Sequence, residues 1–271
     1  METTEDTADC GRERGVVKAE KPRVVAVIPA RYGSTRFPGK PLAQLAGKPI
    51  IQHVVTRTAR AKLVDRVVVA TDDDRIYRFV VDFVGEAVMT SPDHSTGTDR
   101  IGEAIAGIDY DIVVNVQGDE PAVDPGAIDE AVAPLVNDDS IVMSTLAAPI
   151  QNREELLSPH VVKVVVDVHG YALYFSRSPI PGDRTGVYDT DTRTPYKKHI
   201  GLYVFRRDFL GIFVSLDRTP LECAEELEQL RALENGYRIR VVDTEAFSVG
   251  VDTPEDLERL ERDVNNGIIT L

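Results

Sequence analysis

Short apolar runs alternate with longer stretches of helical spacing through the first half of the chain. VVAVI (24–28), RVVVA (66–70), IVVNV (112–116) and IVMSTL (141–146) read as buried strands. Between them, PIIQHVVTRTARA (49–61), DRIYRFVVDFVG (74–85), TDRIGEAIAGI (98–108) and PGAIDEAVAPLV (125–136) repeat apolar residues at helical intervals. This alternation predicts an α/β fold with a Rossmann-like, mostly parallel sheet covered on both faces.

The second half changes character. VKVVVD (162–167) and YALYF (171–175) flank a turn with His169-Gly170 and predict a hairpin. A polar, proline-containing stretch (177–198) precedes a strand at IGLYVFR (200–206). LECAEELEQLRALENG (221–236) predicts one helix stopped by Gly236, followed by a strand over 237–243 and a helix over 253–264. Residues 1–22 are charged and aperiodic, the composition of a flexible extension. The expected organisation is that extension and one α/β domain over 23–271, with a β-rich insertion at about 147–220. No internal repeat is visible.

Charge sharpens this picture. A net charge of −14 argues against general nucleic-acid binding, which needs a basic face. No apolar run approaches bilayer length and the N-terminus has no apolar signal core, so no membrane partner and a cytoplasmic location are expected. Cys10 and Cys223 are too few for a disulfide framework or a zinc site. Against the acidic background, a local crowd of cations stands out.

That crowd lies in IPARYGSTRFPGKPL (28–42), just after the first strand, where open α/β sheets bind ligands. Five residues separate Gly33 from Gly39, and Pro41 stands where a Walker loop needs a hydroxyl, so this is not a P-loop. Arg31, Arg36, Lys40, the Ser34 and Thr35 hydroxyls and glycine-flanked N–H groups can still gather an anion. NVQGDEP (115–121) sets Asp119 just past the third strand, where a carboxylate opposite a phosphate loop suits a divalent metal. In GVDTPEDL (250–257), Thr253 is a natural helix N-cap with Pro254 at N1 and Asp256 at N3, which leaves Asp252 available for another role.

These segments, with YALYFSRSPIP, KHIGLY and LECAEELEQLR, occur in an order that resembles the 3-deoxy-manno-octulosonate cytidylyltransferases, the CMP-Kdo synthetases, over roughly residues 23–264. The resemblance implies transfer of CMP from CTP to the anomeric hydroxyl of an acidic ulosonic sugar, with release of pyrophosphate. It implies a nucleotide-diphospho-sugar transferase fold, an insertion serving sugar binding and dimerisation, a homodimer, and Mg²⁺ as cofactor. Arg31, Lys40 and Asp119 would be catalytic. Arg31, Ser34, Lys40, Arg100 and Asp119 would meet the nucleotide, and Asp119 and Asp252 the metal. Gln117, Arg177, Arg184, His199, Tyr203, Glu228 and Gln229 would line the sugar pocket.

Residue type alone leaves plainer readings open. His199 could be a strand-end histidine, Tyr203 could face core or solvent, and Glu228 and Gln229 could sit on an exposed helix face. Two competing functions share the phosphate and metal residues: a cytidylyltransferase for sialic acid or an amino-Kdo, and a catalytically silent nucleotide-sugar-binding subunit.

Overall fold

The computed structural model describes residues 21–33, 36–83, 85–94, 96–188, 196–246 and 249–271. Residues 1–20 of the expected extension, and Ser34, lie outside these. Among the described residues the strands are β1 (Val24–Ala30), β2 (Gln44–Leu45), β3 (Lys48–Pro49), β4 (Arg66–Thr71), β5 (Glu86–Met89), β6 (Ile112–Asn115), β7 (Met143–Pro149), β8 (Lys163–Val166), β9 (Ala172–Ser176), β10 (Lys197–Arg206) and β11 (Arg240–Asp243). The helices are α1 (Ile50–Thr58), α2 (Asp74–Phe83), α3 (Gly97–Ala104), α4 (Pro125–Asn137), α5 (Arg153–Leu157), α6 (Arg207–Ser215), α7 (Pro220–Glu225), α8 (Leu230–Glu234) and α9 (Pro254–Asn265).

The main sheet runs β11-β7-β10-β6-β1-β4-β5. β1 pairs in parallel with both β4 and β6, which explains its unbroken apolar run. Its alternate residues feed two cores. Val24, Ala26 and Ile28 pack with Ile51 and Val54 of α1 and Ile128 of α4. Val25 and Val27 face Ile101 of α3 and Phe209 and Phe213 of α6. The period of two along one central strand thus supports helices on both faces.

Local chemistry sets the helix ends. Asp124 accepts from Gly126 N–H at 2.7 Å ahead of Pro125 at the start of α4. Thr253 and Asp256 form the expected reciprocal cap of α9, with Asp256 N–H donating to Thr253 Oγ1 at 3.2 Å and Thr253 N–H to Asp256 Oδ2 at 3.1 Å.

Two stretches depart from the sequence reading. The single helix expected over 221–236 is two short helices, α7 and α8, interrupted at Glu226, which takes a left-handed conformation (φ 52°, ψ 47°). The break buries Leu227 in the core, and Glu222 reaches across it to Arg231. Gly236 does end α8: Tyr237 N–H bonds Ala232 O and Gly236 N–H bonds Leu233 O, a Schellman pattern on a glycine at φ 80°. The second departure concerns residues 147–220. The β8–β9 hairpin forms and pairs with the start of β10, but β10 belongs to the main sheet throughout: one edge pairs with β7 from Lys197 on, and the other passes from β8 to β6, where Tyr203–Arg206 run antiparallel to Asn115–Ile112. A register shift between Ile200 and Tyr203 in the β10–β7 pairing marks a bulge between the segment of β10 that pairs with β8 and the segment that pairs with β6.

Candidate active site

The site begins where β1 ends. The chain turns through Tyr32 and returns at Gly39, whose N–H bonds Tyr32 O at 2.9 Å. Gly39 has φ 73°, and a Cβ there would lie 2.9 Å from the Tyr32 ring, so both conformation and space require glycine. The Arg75 guanidinium covers that ring at 3.3 Å from its centroid. This bracing starts a short 3₁₀ turn at Lys40–Leu42 and points Lys40 inward. Arg31 stays exposed at the rim.

Beyond β6, Gly118 passes so close to β1 that a Cβ would come within 2.5 Å of the Pro29 carbonyl oxygen. Asp119 follows, and its carbonyl accepts Val251 N–H at 2.9 Å, which draws the loop before α9 alongside. Asp119 and Asp252 thereby converge on one ammonium: Lys40 Nζ lies 2.6 Å from Asp119 Oδ2 and 3.3 Å from Asp252 Oδ1. Arg36 reaches the other Asp252 oxygen at 3.3 Å. Side-chain exposure is 12% for Lys40, 34% for Asp119 and 51% for Asp252, so the cluster opens to ligand and water.

These groups line a cavity of about 390 Å³ that also includes Arg100, Gln117, His94 and Glu228. Arg100 is buried and fixed by Thr90 Oγ1 at 2.6 Å and Asp72 at 2.9 Å. His94 pairs with Glu103, whose carboxyl is held below its usual range first by the Ser91 N–H and then by His94.

A polar relay continues from the cavity into the fold. Gln117 Nε2 donates to Gly201 O at the β10 bulge at 3.1 Å and to Asn115 Oδ1 at 3.3 Å. Thr98 Oγ1 donates to Glu228 at 2.6 Å, and burial raises the Glu228 carboxyl despite this bond. Tyr203 OH donates to Gln229 Oε1 at 3.0 Å, and burial also pushes this phenol up. His199 shares a 2.8 Å hydrogen bond with Thr145 Oγ1 and stands edge-on to Phe175; burial lowers its pKa to about 3, keeping it neutral. Among the described residues, Glu228 Oε1 and Gln229 Nε2 are buried atoms without a hydrogen-bond partner. Of the two residues only Glu228 lines the cavity, and its Oε1 lies 3.9 Å from Arg231 Nη2.

The structure therefore brings Arg31, Lys40, Arg100, Gln117, Asp119, Asp252 and Glu228 around one cavity. His199, Tyr203 and Gln229 form the adjoining polar layer. Arg177 and Arg184 do not line the cavity. Arg177 donates to the carbonyls of Glu225, Pro159 and Glu226, and Arg184 is exposed. His94 and Thr98 join the site beyond the residues expected from the sequence, and Arg36, one of the loop cations, pairs with Asp252 there. Arg36 was visible in the basic crowd of the first loop, whereas His94 and Thr98 carried no signal beyond proximity to Arg100.

A mostly parallel α/β sheet with a cationic loop after β1 and paired carboxylates beyond β6 defines a nucleotidyltransferase, and the cytidylyltransferase family profile matches residues 25–239. The 3-deoxy-manno-octulosonate cytidylyltransferase of Syntrophotalea carbinolica is 58% identical over 88% of this chain and 97% of its own. That of Solibacter usitatus is 53% identical over 89% and 94%. A solved CMP:2-keto-3-deoxy-manno-octonic acid synthetase complexed with CTP superposes with a TM-score of 0.85 at 42% identity, covering 90% of this chain and 99% of that one. The chain belongs to the 3-deoxy-manno-octulosonate cytidylyltransferase family.

Proposed function

We propose that this chain transfers CMP from CTP to the anomeric hydroxyl of 3-deoxy-D-manno-octulosonate. The hydroxyl oxygen forms a bond to the α-phosphorus, the bond from that phosphorus to the β-phosphate oxygen breaks, pyrophosphate leaves, and the hydroxyl proton passes to solvent. The observation that carries the reading is the convergence of Lys40, Asp119 and Asp252 in a cavity that Glu228 also lines.

Positioning and charge neutralisation suffice for such chemistry, and no protein nucleophile is needed. Arg31 and Lys40 hold the triphosphate and offset the charge that develops on pyrophosphate. Arg100, locked by Asp72 and Thr90, presents a fixed cation on the nucleotide side. Asp119 and Asp252 supply hard oxygen ligands, and two carboxylates at an open cavity fit an ion that completes its shell with water and phosphate oxygens, the habit of Mg²⁺. Bound there, Mg²⁺ would polarise the α-phosphate and lower the pKa of the incoming hydroxyl.

On the acceptor side, Gln117 and Glu228 line the cavity and His199, Tyr203 and Gln229 form the polar layer behind them, together offering donors and acceptors for sugar hydroxyls. A pocket built to hydrogen-bond hydroxyls rejects sugars that lack them. Arg184 is the exposed candidate for the sugar carboxylate; Arg177 would have to exchange its carbonyl partners to serve. Cytoplasmic location and a homodimer belong to the same proposal. Among the described residues no helix is long and apolar enough to cross a membrane.

The test is pyrophosphate release by the purified protein with Mg²⁺ across the four nucleoside triphosphates and a panel of sugar acids. CTP with 3-deoxy-manno-octulosonate should give the highest kcat/KM. Preference for sialic acid or an amino-Kdo would replace the acceptor, and no release with any pair would leave only a binding role.

A further inference from the structure

We propose that Glu225 is a positioning residue for the acceptor side of the site, acting through the left-handed turn at Glu226. This rests on the reading of Glu228 and Gln229 as sugar ligands. Those two residues sit in the gap between α7 and α8, and the gap exists because Glu226 leaves the helical path at φ 52°. A left-handed non-glycine residue is unfavourable by about 1–2 kcal/mol, so the surroundings must hold it.

The holding bonds come from the end of β9. The Glu225 carboxylate accepts from Ser176 Oγ at 2.6 Å, from Arg177 N–H at 2.9 Å and, more weakly, from Tyr174 OH at 3.5 Å. The Arg177 guanidinium returns to the Glu225 carbonyl at 2.7 Å and the Glu226 carbonyl at 3.3 Å. Arg177 is itself anchored, because its carbonyl and those of Ser158 and Val161 accept from the buried Lys163 ammonium. The end of α7 is thus tied from both its side chain and its carbonyls to a strand that belongs to the β8–β9 hairpin.

Downstream, the turn delivers two carefully spaced side chains. Leu227 is buried in the core, Glu228 meets Thr98, and Gln229 meets Tyr203. With Glu225 untied, the α7 end loses its side-chain anchor, and the chain is free to continue as helix through Glu226. That would rotate Glu228 and Gln229 away from the cavity. Among the described residues Lys40 and Asp119 make no hydrogen bond or ion pair with this joint, and Arg100 on α3 is held separately by Thr90 and Asp72, although Thr98 of the same helix donates to Glu228. The effect of losing Glu225 therefore falls chiefly on the acceptor.

The experiment is steady-state kinetics with CTP, Mg²⁺ and 3-deoxy-manno-octulosonate on Glu225→Ala, Glu225→Gln and Glu228→Ala, with CTP binding measured separately by calorimetry. Glu225→Ala should raise the acceptor KM by about tenfold while leaving CTP affinity within about twofold, since misplacement of a binding group is felt chiefly by the ligand it serves. Glu225→Gln, which keeps one acceptor oxygen for Ser176, should recover part of that loss and covers the case in which the alanine variant does not fold. An unchanged acceptor KM in both Glu225 variants, with Glu228→Ala raising it, would overturn the positioning role alone. If Glu228→Ala also left it unchanged, the acceptor-site reading itself would fall.

Discussion

Replacing Lys40 by alanine separates chemistry from folding more cleanly than any other change in the cavity. The ammonium lies between two carboxylates, but those carboxylates are 34% and 51% exposed, so the ion pairs are largely solvent-screened. Such pairs are each worth about 0–1 kcal/mol, and their loss should shift the thermal midpoint by only a few degrees, about 2–4 °C for each kcal/mol in a domain of this size. The catalytic cost should be much larger. A fixed cation aimed at developing charge typically contributes about 2.7–4 kcal/mol, equivalent to about a 10²–10³-fold loss in kcat. Lys40 satisfies the structural condition for such a contribution: its position is set by the Gly39 turn and the Tyr32–Arg75 brace before any ligand arrives. The assay is a continuous pyrophosphate-release measurement at saturating CTP, paired with thermal denaturation of the same preparation. Turnover within about threefold of the parent would refute a catalytic charge at this position, given the magnitude above. A large loss of midpoint would show instead that the lysine serves the fold.

Four other outcomes follow from the geometry. Gly118→Ala should destabilise by about 1–3 kcal/mol and depress turnover, because the added methyl meets the backbone oxygen of Pro29 at 2.5 Å; chemical denaturation with an activity assay reads both. Arg231→Met should cost about 3–5 kcal/mol at neutral pH, since it strands the buried Glu222 carboxylate that the arginine now binds at 2.8 and 2.6 Å; urea titration checks this. Asp252→Asn should weaken Mn²⁺ binding in the presence of CTP by about tenfold or more, measured by electron paramagnetic resonance, with the fold unchanged. His199 has its pKa depressed to about 3 by burial, so the unfolded chain takes up its proton first: stability linked to this residue is full above about pH 6.5 and is lost as pH falls toward 3. His199→Gln should flatten the fall in stability over that window, measured by denaturation from pH 7 to pH 4.

The parallel half of the fold was legible because its signals are local. β1 is apolar at every position since both of its faces are covered, and Thr253, Pro254 and Asp256 announce α9 through adjacent residues. The cationic loop was legible because three basic side chains in a chain of net charge −14 require a reason. The α7–α8 joint was not, because LECAEELEQLR has good helical propensity throughout. Its interruption depends on Ser176, Arg177 and Arg231, which no local pattern connects to it. The placement of β10 between β6 and β7 is similarly a long-range outcome: an apolar run reveals a strand but not its neighbours. Arg177 shows the limit from the other side, where a motif suggested a ligand contact and the folded chain gives the guanidinium to carbonyls.

β10 has a consequence for how relatives of this chain can diverge. The nucleotide wall is assembled from the loops after β1 and β6 and from α3, whereas His199 and Tyr203 ride on β10, and Glu228 and Gln229 on the joint beyond it. On the proposed assignment most donor groups come from the earlier stretch and most acceptor groups from the later one, with Gln117 and Asp252 crossing that division and contacts at Gly201 and Thr98 joining the two. On that assignment, a lineage could exchange its acceptor by rewriting β10 and the α7–α8 joint while the loops after β1 and β6 and the Asp252 loop are kept. The two seams at Gln117 and Thr98 are where such an exchange would have to be reconciled.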